Sequence, residues 1–240
     1  MSSPAKVALT RPAAPKSPQL QNAHAVLLYA IDTVESLLNL YHFLRTQRSA
    51  RGISTHAEHD LLRAMLVFAC AGLDSFLKQA LKDAYSIVLD KSSSASDALE
   101  KFVSRRITQF GEPGKADDEE AIELKLDRKF LAKALTSRSP RDSMIKESQK
   151  VLAAGSLQSQ SEISRIVSHL GLDEKAIGLD QAQLRSVFDR RNKIIHEMDM
   201  QIGRGRGNRV SPNKEEAERS ALYILSLTSE ILDQLDLIIR

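Results

Sequence analysis

The chain of 240 residues has no tryptophan, one cysteine, ten glycines and seven prolines, and only 5% of it is aromatic. Each shortage excludes something. Cys70 stands alone, so no disulfide can close within the chain, and an intracellular, reducing compartment fits. Glycine and proline are few and fall mostly outside the periodic stretches, which favours a helical globular protein. No apolar run approaches the ~20 residues that span a bilayer. The first 18 residues hold four prolines and no apolar centre, so they lack the middle of a secretory signal. Residues 1–19 are therefore expected to be a disordered leader, with the cytoplasm as location. The formal net charge of +3 does not by itself mark a nucleic-acid binder; local clustering has to do that.

What is present is helical periodicity. Leu27, Ile31, Val34, Leu38 and Tyr41 step by threes and fours within a helix expected over about 20–48. Thr55-His56-Ala57-Glu58 is a capping box opening a second helix to about Leu89, with Leu62, Leu66, Ala69, Leu73, Phe76 and Ala80 as its seam. Two long helices with a short link predict an antiparallel pair. Lys91 to Ser96 is a serine-rich break. The less regular middle, about 91–179, is expected to be a helical insertion with helices near 97–110, 117–135, 140–153 and 162–170. A final helix over about 212–239 offers Leu222, Leu225, Leu232, Leu235 and Ile239 to the core, after a long irregular loop from Met200. No alternating strand pattern and no internal repeat is found. The fold class is all-α, one domain over 20–240.

The most informative stretch is Arg191-Asn192-Lys193-Ile194-Ile195-His196. It belongs to an amphipathic helix from Gln181 to about Met198, with Asp180 as N-cap and Gln183 placed to close a capping box. At ~100° per residue, Leu184, Val187, Phe188, Ile194, Ile195 and Met198 form one stripe with Arg191 at its centre. An arginine keeps its charge, and burying it unpaired is costly. Arg191 must therefore meet a carboxylate, a polar cleft, a partner chain or an anion. Asn192 and His196 lie one turn apart on the flank of the stripe. Arginine, amide and imidazole beside an apolar seam suit phosphate handling. The plainer alternative is an ion pair of Arg191 with Asp74 or Asp189 and a surface histidine.

Arg191-Asn192-x-x-x-His196 on the third long helix of an up-and-down bundle resembles the HEPN superfamily. The likeness covers roughly residues 20–89 and 180–240. The middle insertion and Ala71-Gly72-Leu73-Asp74 resemble its RiboL-PSP-HEPN branch most. The resemblance implies a homodimer whose facing motif helices form one composite cleft, and metal-independent RNA cleavage by attack of the ribose 2′-hydroxyl. It implies Arg191, His196 and Asn192 as the catalytic set, with Asp74 as a supporting carboxylate, no cofactor, and a toxin–antitoxin or antiviral-defence setting with an antitoxin or similar partner. A non-catalytic HEPN module that dimerises, or binds RNA or a protein, is the alternative.

Other features carry less. Gly203-Arg204-Gly205-Arg206-Gly207-Asn208-Arg209 sets Arg204, Arg206 and Arg209 on a glycine-rich backbone that can track phosphates, or is simply a solvated loop. Arg190 and Lys193, on the outer face of the motif helix, would add to the same field. Asp117 to Glu120 suit the first turn of a helix better than a metal site. His56, Glu58 and His59 do not form a standard metal-ligand pattern. Cys70 reads as a small core residue. Phosphate-loop, dinucleotide and nucleophile-elbow motifs are lacking, which disfavours NTP-driven or redox chemistry.

Overall fold

The computed structural model describes residues 6–48, 54–108, 132, 136–157, 159–197, 200–201, 208–209 and 211–240. Among the described residues seven helices are defined: α1 (Gln21–Gln47), α2 (His56–Lys91), α3 (Ser93–Thr108), α4 (Pro140–Ala153), α5 (Gln160–His169), α6 (Gln181–Glu197) and α7 (Lys214–Ile239). A short 3-10 turn, Pro18–Leu20, precedes α1. The fold is all-α, as expected. The helix expected near 117–135 falls almost wholly outside the described residues.

α1 and α2 form the antiparallel pair. At one end Arg48 reaches Glu58; at the other Asn22 donates to Asp83 at 2.9 Å. Midway the backbones approach so closely that a Cβ built on Gly72 would sit 2.4 Å from the Cβ of Ala30. Only glycine permits that approach. The seam residues expected on both helices are buried, and Cys70 among them is 3% exposed. Burial pushes its thiol up to about 12, only partly offset by the charge of Arg191, so it is an inert core residue.

The start of α2 is fixed by charge as well as by its cap. Thr55 accepts from the Glu58 backbone N–H at 3.3 Å, and Glu58 Oε2 accepts from the Thr55 N–H at 2.9 Å. Glu58 is 1% exposed, and its carboxylate is met by Arg48 at 2.8 Å and Arg45 at 3.7 Å. One carboxylate thus closes the capping box and clamps the end of α1.

α7 lies beside α2 with the two C-terminal ends together, where the Lys91 ammonium donates to the carbonyl of Ile239. Leu225, Leu232, Leu235 and Ile239 are buried as expected. Leu222 is not; it is 38% exposed. The buried stripe of α7 runs instead through Ala217, Ala221, Ile224, Thr228, Ile231 and Leu235, and Leu222 lies more than 90° away from its centre at ~100° per residue.

The serine-rich stretch after α2 is not a six-residue break. Only Ser92 separates α2 from α3, because its hydroxyl accepts from the Ala95 N–H at 3.3 Å and so starts the next helix at once. α3 and α4 pack on α2, and α5 packs on α3 and reaches α2 through His169. Their contact is partly polar. The Tyr85 hydroxyl lies 2.9 Å from His169 Nδ1 and 3.2 Å from Ser148 Oγ, all three side chains being buried. Burial, with the positive charges of Arg165 and Arg105, holds the imidazole down to about 4. His169 is therefore neutral near pH 7 and shares a hydrogen bond with the tyrosine hydroxyl. α5 ends in a Schellman turn: Leu172 donates to Val167 O at 3.1 Å and Gly171 to Ser168 O at 3.0 Å. Gly171 has φ +70°, and any Cβ there would strike Ser92.

Residues 6–20 are not a free leader. Val7 and Asn39 exchange two hydrogen bonds, 2.8 and 3.0 Å, and Leu9 donates to Glu35 at 3.0 Å. Ser17 donates to Asp236 at 2.8 Å and Lys16 at 3.1 Å. The segment that composition marked as disordered lies along α1, and its backbone donors find the side-chain oxygens of Asn39, Glu35 and Asp236, partners that composition could not reveal. Burial raises the Asp236 carboxyl, but Arg240, Ser17 and Lys16 outweigh it and hold it below the usual carboxylate range.

Candidate active site on α6

The beginning of α6 is held firmly. Asp180 accepts from the backbone N–H groups of Ala182 and Gln183, each at 2.9 Å. The reciprocal bond expected from Gln183 is supplied by Tyr223 of α7, whose hydroxyl accepts from the Asp180 N–H at 3.0 Å and donates to its carbonyl at 3.2 Å. Leu184, Val187 and Phe188 are all at most 3% exposed and seat the first two turns against the core. Beyond them the stripe emerges. Ile194 is half-buried and Ile195 is 40% exposed, while Met198 lies outside the described residues.

Arg191 sits where burial gives way to exposure. Its Nη1 donates to Asn192 Oδ1 at 2.9 Å, and its Nε is buried without a hydrogen-bond partner among the described residues. No described carboxylate lies within ion-pair distance of it. Asp74, expected as its support, is engaged elsewhere: it pairs with Lys78 at 2.8 Å and accepts from the Leu157 N–H at 3.4 Å. Asp189 lines a groove on the solvent side of α6. A half-buried guanidinium with an unsatisfied donor and no described counter-ion is unusual, since a buried cation is ordinarily paired.

His196 is exposed in the last turn of α6, and among the described residues it makes no hydrogen bond. It stands five positions after Arg191, so the two side chains leave the helix roughly 140° apart at ~100° per residue. Asn192 lies between them in azimuth and already holds the guanidinium. Arg190 is half-buried and Lys193 exposed, both beside the groove. Arg204 and Arg206 lie outside the described residues. The backbone of Arg209 does not: Asn208–Arg209 pairs antiparallel with Met200–Gln201. The segment expected to be wholly irregular thus has two paired arms, too short for an alternating pattern to announce them.

Some groups beside the site had no clear signal. Arg185 shares the groove with Arg190 and Lys193, and its spacing of four to Asp189 and eight to Lys193 was the one available hint. Gln160 joins them from α5, a placement that only tertiary packing creates. Among the described residues no group of three or more His, Cys, Asp or Glu side chains is arranged to hold a metal ion. No described helix is long and apolar enough to cross a membrane.

The sequence model of the RiboL-PSP-HEPN family matches residues 30–236, from the middle of α1 nearly to the end of α7 and across the insertion. No curated protein and no solved structure matches the chain.

Proposed function

The chain belongs to the RiboL-PSP-HEPN family, and from that premise we propose that it is an endoribonuclease whose catalytic pair is Arg191 and His196. The observation that carries this is the state of Arg191: half-buried, with an unsatisfied Nε and no carboxylate partner among the described residues. Such a group gains most from an anion that presents two oxygens, and a phosphodiester does so.

The chemistry then follows from the side chains. One neutral imidazole takes the proton of the ribose 2′-hydroxyl as that oxygen attacks the adjacent phosphorus. The arginine holds the phosphoryl oxygens and stabilises the charge that grows on them. A second, protonated imidazole gives its proton to the departing 5′-oxygen. The products are a 2′,3′-cyclic phosphate and a 5′-hydroxyl, and no metal takes part. Asn192 orients the guanidinium. Asp74 acts at most through the packing of α2, since Lys78 occupies its carboxylate.

Two imidazoles require two copies of the motif. The divergence of Arg191 and His196 around one helix, and the emergence of Ile195 beside them, favour a homodimer with the two α6 helices facing across one cleft. Arg190 and Lys193 add positive charge along α6, and Arg204, Arg206 and Arg209 follow the motif closely in sequence as further candidates for phosphate contact. A toxin or antiviral-defence effector, held in check by an antitoxin or similar partner, is the setting that suits such an activity.

The test is cleavage of mixed single-stranded and transfer RNA by wild type and His196→Ala, with EDTA present and the product ends identified. Cyclic-phosphate ends from wild type alone are expected, with the same melting temperature for both proteins. Intact RNA from a folded, partner-free wild-type dimer would instead make this chain a HEPN module that binds without cleaving. The effector role predicts growth arrest on induced expression, relieved by His196→Ala.

A further inference from the structure

An open groove of about 680 Å³ runs along the solvent face of α6, with Gln160 of α5 and Glu216 of α7 also in its lining. It is not the Arg191 surface, which faces the opposite way. Its lining carries Arg185, Arg190 and Lys193, three cations against the two carboxylates Asp189 and Glu216. Gln181 forms a fixed wall, since its amide donates to Ser164 Oγ and to Glu174 Oε2, both at 2.7 Å. The size falls within the ~300–1,000 Å³ typical of ligand sites.

The groove and the imidazole share one line of the helix. Arg185, Asp189 and His196 follow each other at spacings of four and seven, and Lys193 lies three before His196, so all project from one side of α6. From Arg185 to His196 the helix rises about 16 Å at ~1.5 Å per residue, a span that a few nucleotides of extended strand cover. A polymer lying in the groove is therefore led to the histidine.

We propose that this groove is the track for the single-stranded RNA flanking the scissile phosphate, held through its backbone by Arg185, Arg190 and Lys193. The proposal rests on the ribonuclease reading and extends it away from the composite cleft. A protein partner suits the groove poorly. Ala182 is the one apolar side chain among its described lining residues, whereas protein interfaces bury aromatic and apolar anchors at their centre. The same lack of aromatics removes any platform for base stacking, so contact is with phosphates and is tolerant of sequence.

Arg185 is the test residue, being exposed and eleven positions from His196. Binding of a fluorescein-labelled 2′-O-methyl RNA of roughly 12 nucleotides, a length suited to such tracks, is measured by anisotropy at several salt concentrations for the full-length wild type, Arg185→Gln and Arg185→Glu. This probe has no free 2′-hydroxyl and cannot be cleaved. Affinity is expected to fall severalfold in Arg185→Gln and further in Arg185→Glu. The slope of log affinity against log salt should shrink by about 0.7 for each phosphate that the variant no longer neutralises. Unchanged melting temperatures confirm that the fold is retained. Wild-type affinity and slope in Arg185→Glu, or no binding by wild type, overturns the proposal. Arg185-dependent binding by a wild type that cleaves no RNA would leave the groove standing and remove the ribonuclease; cleavage with Arg185-independent binding would do the reverse.

Discussion

Two charged side chains, each with one buried polar atom that makes no hydrogen bond, sit in different corners of this molecule, and they differ in the counter-charge the fold gives them. Glu58, between α1 and α2, is enclosed and has counter-charges: Arg48 and Arg45 face its carboxylate and Oε2 closes its own helix cap, although Oε1 is buried without a hydrogen bond. Arg191, midway along α6, is half-buried and, among the described residues, answered only by the amide of its neighbour. Desolvating a charge is costly wherever it happens. At the α1–α2 corner the protein recovers that cost within its own fold, so the charge serves architecture. On α6 the cost is left standing, and a counter-charge from outside would recover it. A charge that the fold has failed to satisfy is the better guide to where a ligand goes.

The sharpest way to break the comparison is Arg191→Met, which keeps length and removes charge. RNA cleavage should fall by at least ~100-fold, the scale of losing one group that stabilises developing charge. Thermal stability should hold or rise, since replacing a poorly compensated buried charge by an apolar side chain is often neutral or favourable. A large loss of stability would mean that the guanidinium is architectural after all. Phe188→Ala, on the same stripe, should do the opposite: a loss of about 3–5 kcal/mol from cavity formation, read by denaturant titration. Whatever RNA binding survives should belong to the folded fraction alone.

At the other pole of the comparison, Glu58→Ala removes the reciprocal cap bond and both arginine partners. A loss of about 2–3 kcal/mol is expected, with cleavage per folded molecule untouched. Arg48 and Arg45 remain partly exposed and can return to water, which keeps the loss below that of stranding a buried charge. The smallest effect concerns pH. The folded pKa of His169, about 4, lies below its ordinary value of 6.5. The unfolded chain therefore binds the extra proton first, and stability present above about pH 6.5 is lost as pH falls toward 4. At ~1.4 kcal/mol per pKa unit this amounts to about 2 kcal/mol after allowance for local relaxation. His169→Asn should flatten that part of the melting-temperature profile, and the first helices to lose protection in hydrogen exchange should be α3 to α5.

Helix identity was legible because periodicity and caps are local. The Thr55–Glu58 box, the Ser139-Pro140 start of α4 and the Asp180 cap each stand in the structure where residue order put them. Misjudgements arose where a distant group completed a local motif. Tyr223 took the place expected of Gln183, Asp236 and Glu35 captured a leader that composition marked as free, and Ser92 turned a serine-rich break into a cap. The site divides in the same way. That Arg191 is a charge on an apolar stripe followed from spacing alone. That Asp74 is committed to Lys78, and so does not serve Arg191, required the packing of α2 against the insertion.

Residue order by itself determined the helices, the all-α class, the apolar stripe and the motif on it, because a helix repeats every few residues and reports its own face. The family, too, was written in the order Arg191-Asn192-x-x-x-His196 and the helices around it. Tertiary structure alone decided which charges are satisfied and which surfaces are open. Those depend on groups brought from far along the chain, such as Gln160 and Glu216 in the lining of the α6 groove, and no local spacing encodes such a meeting.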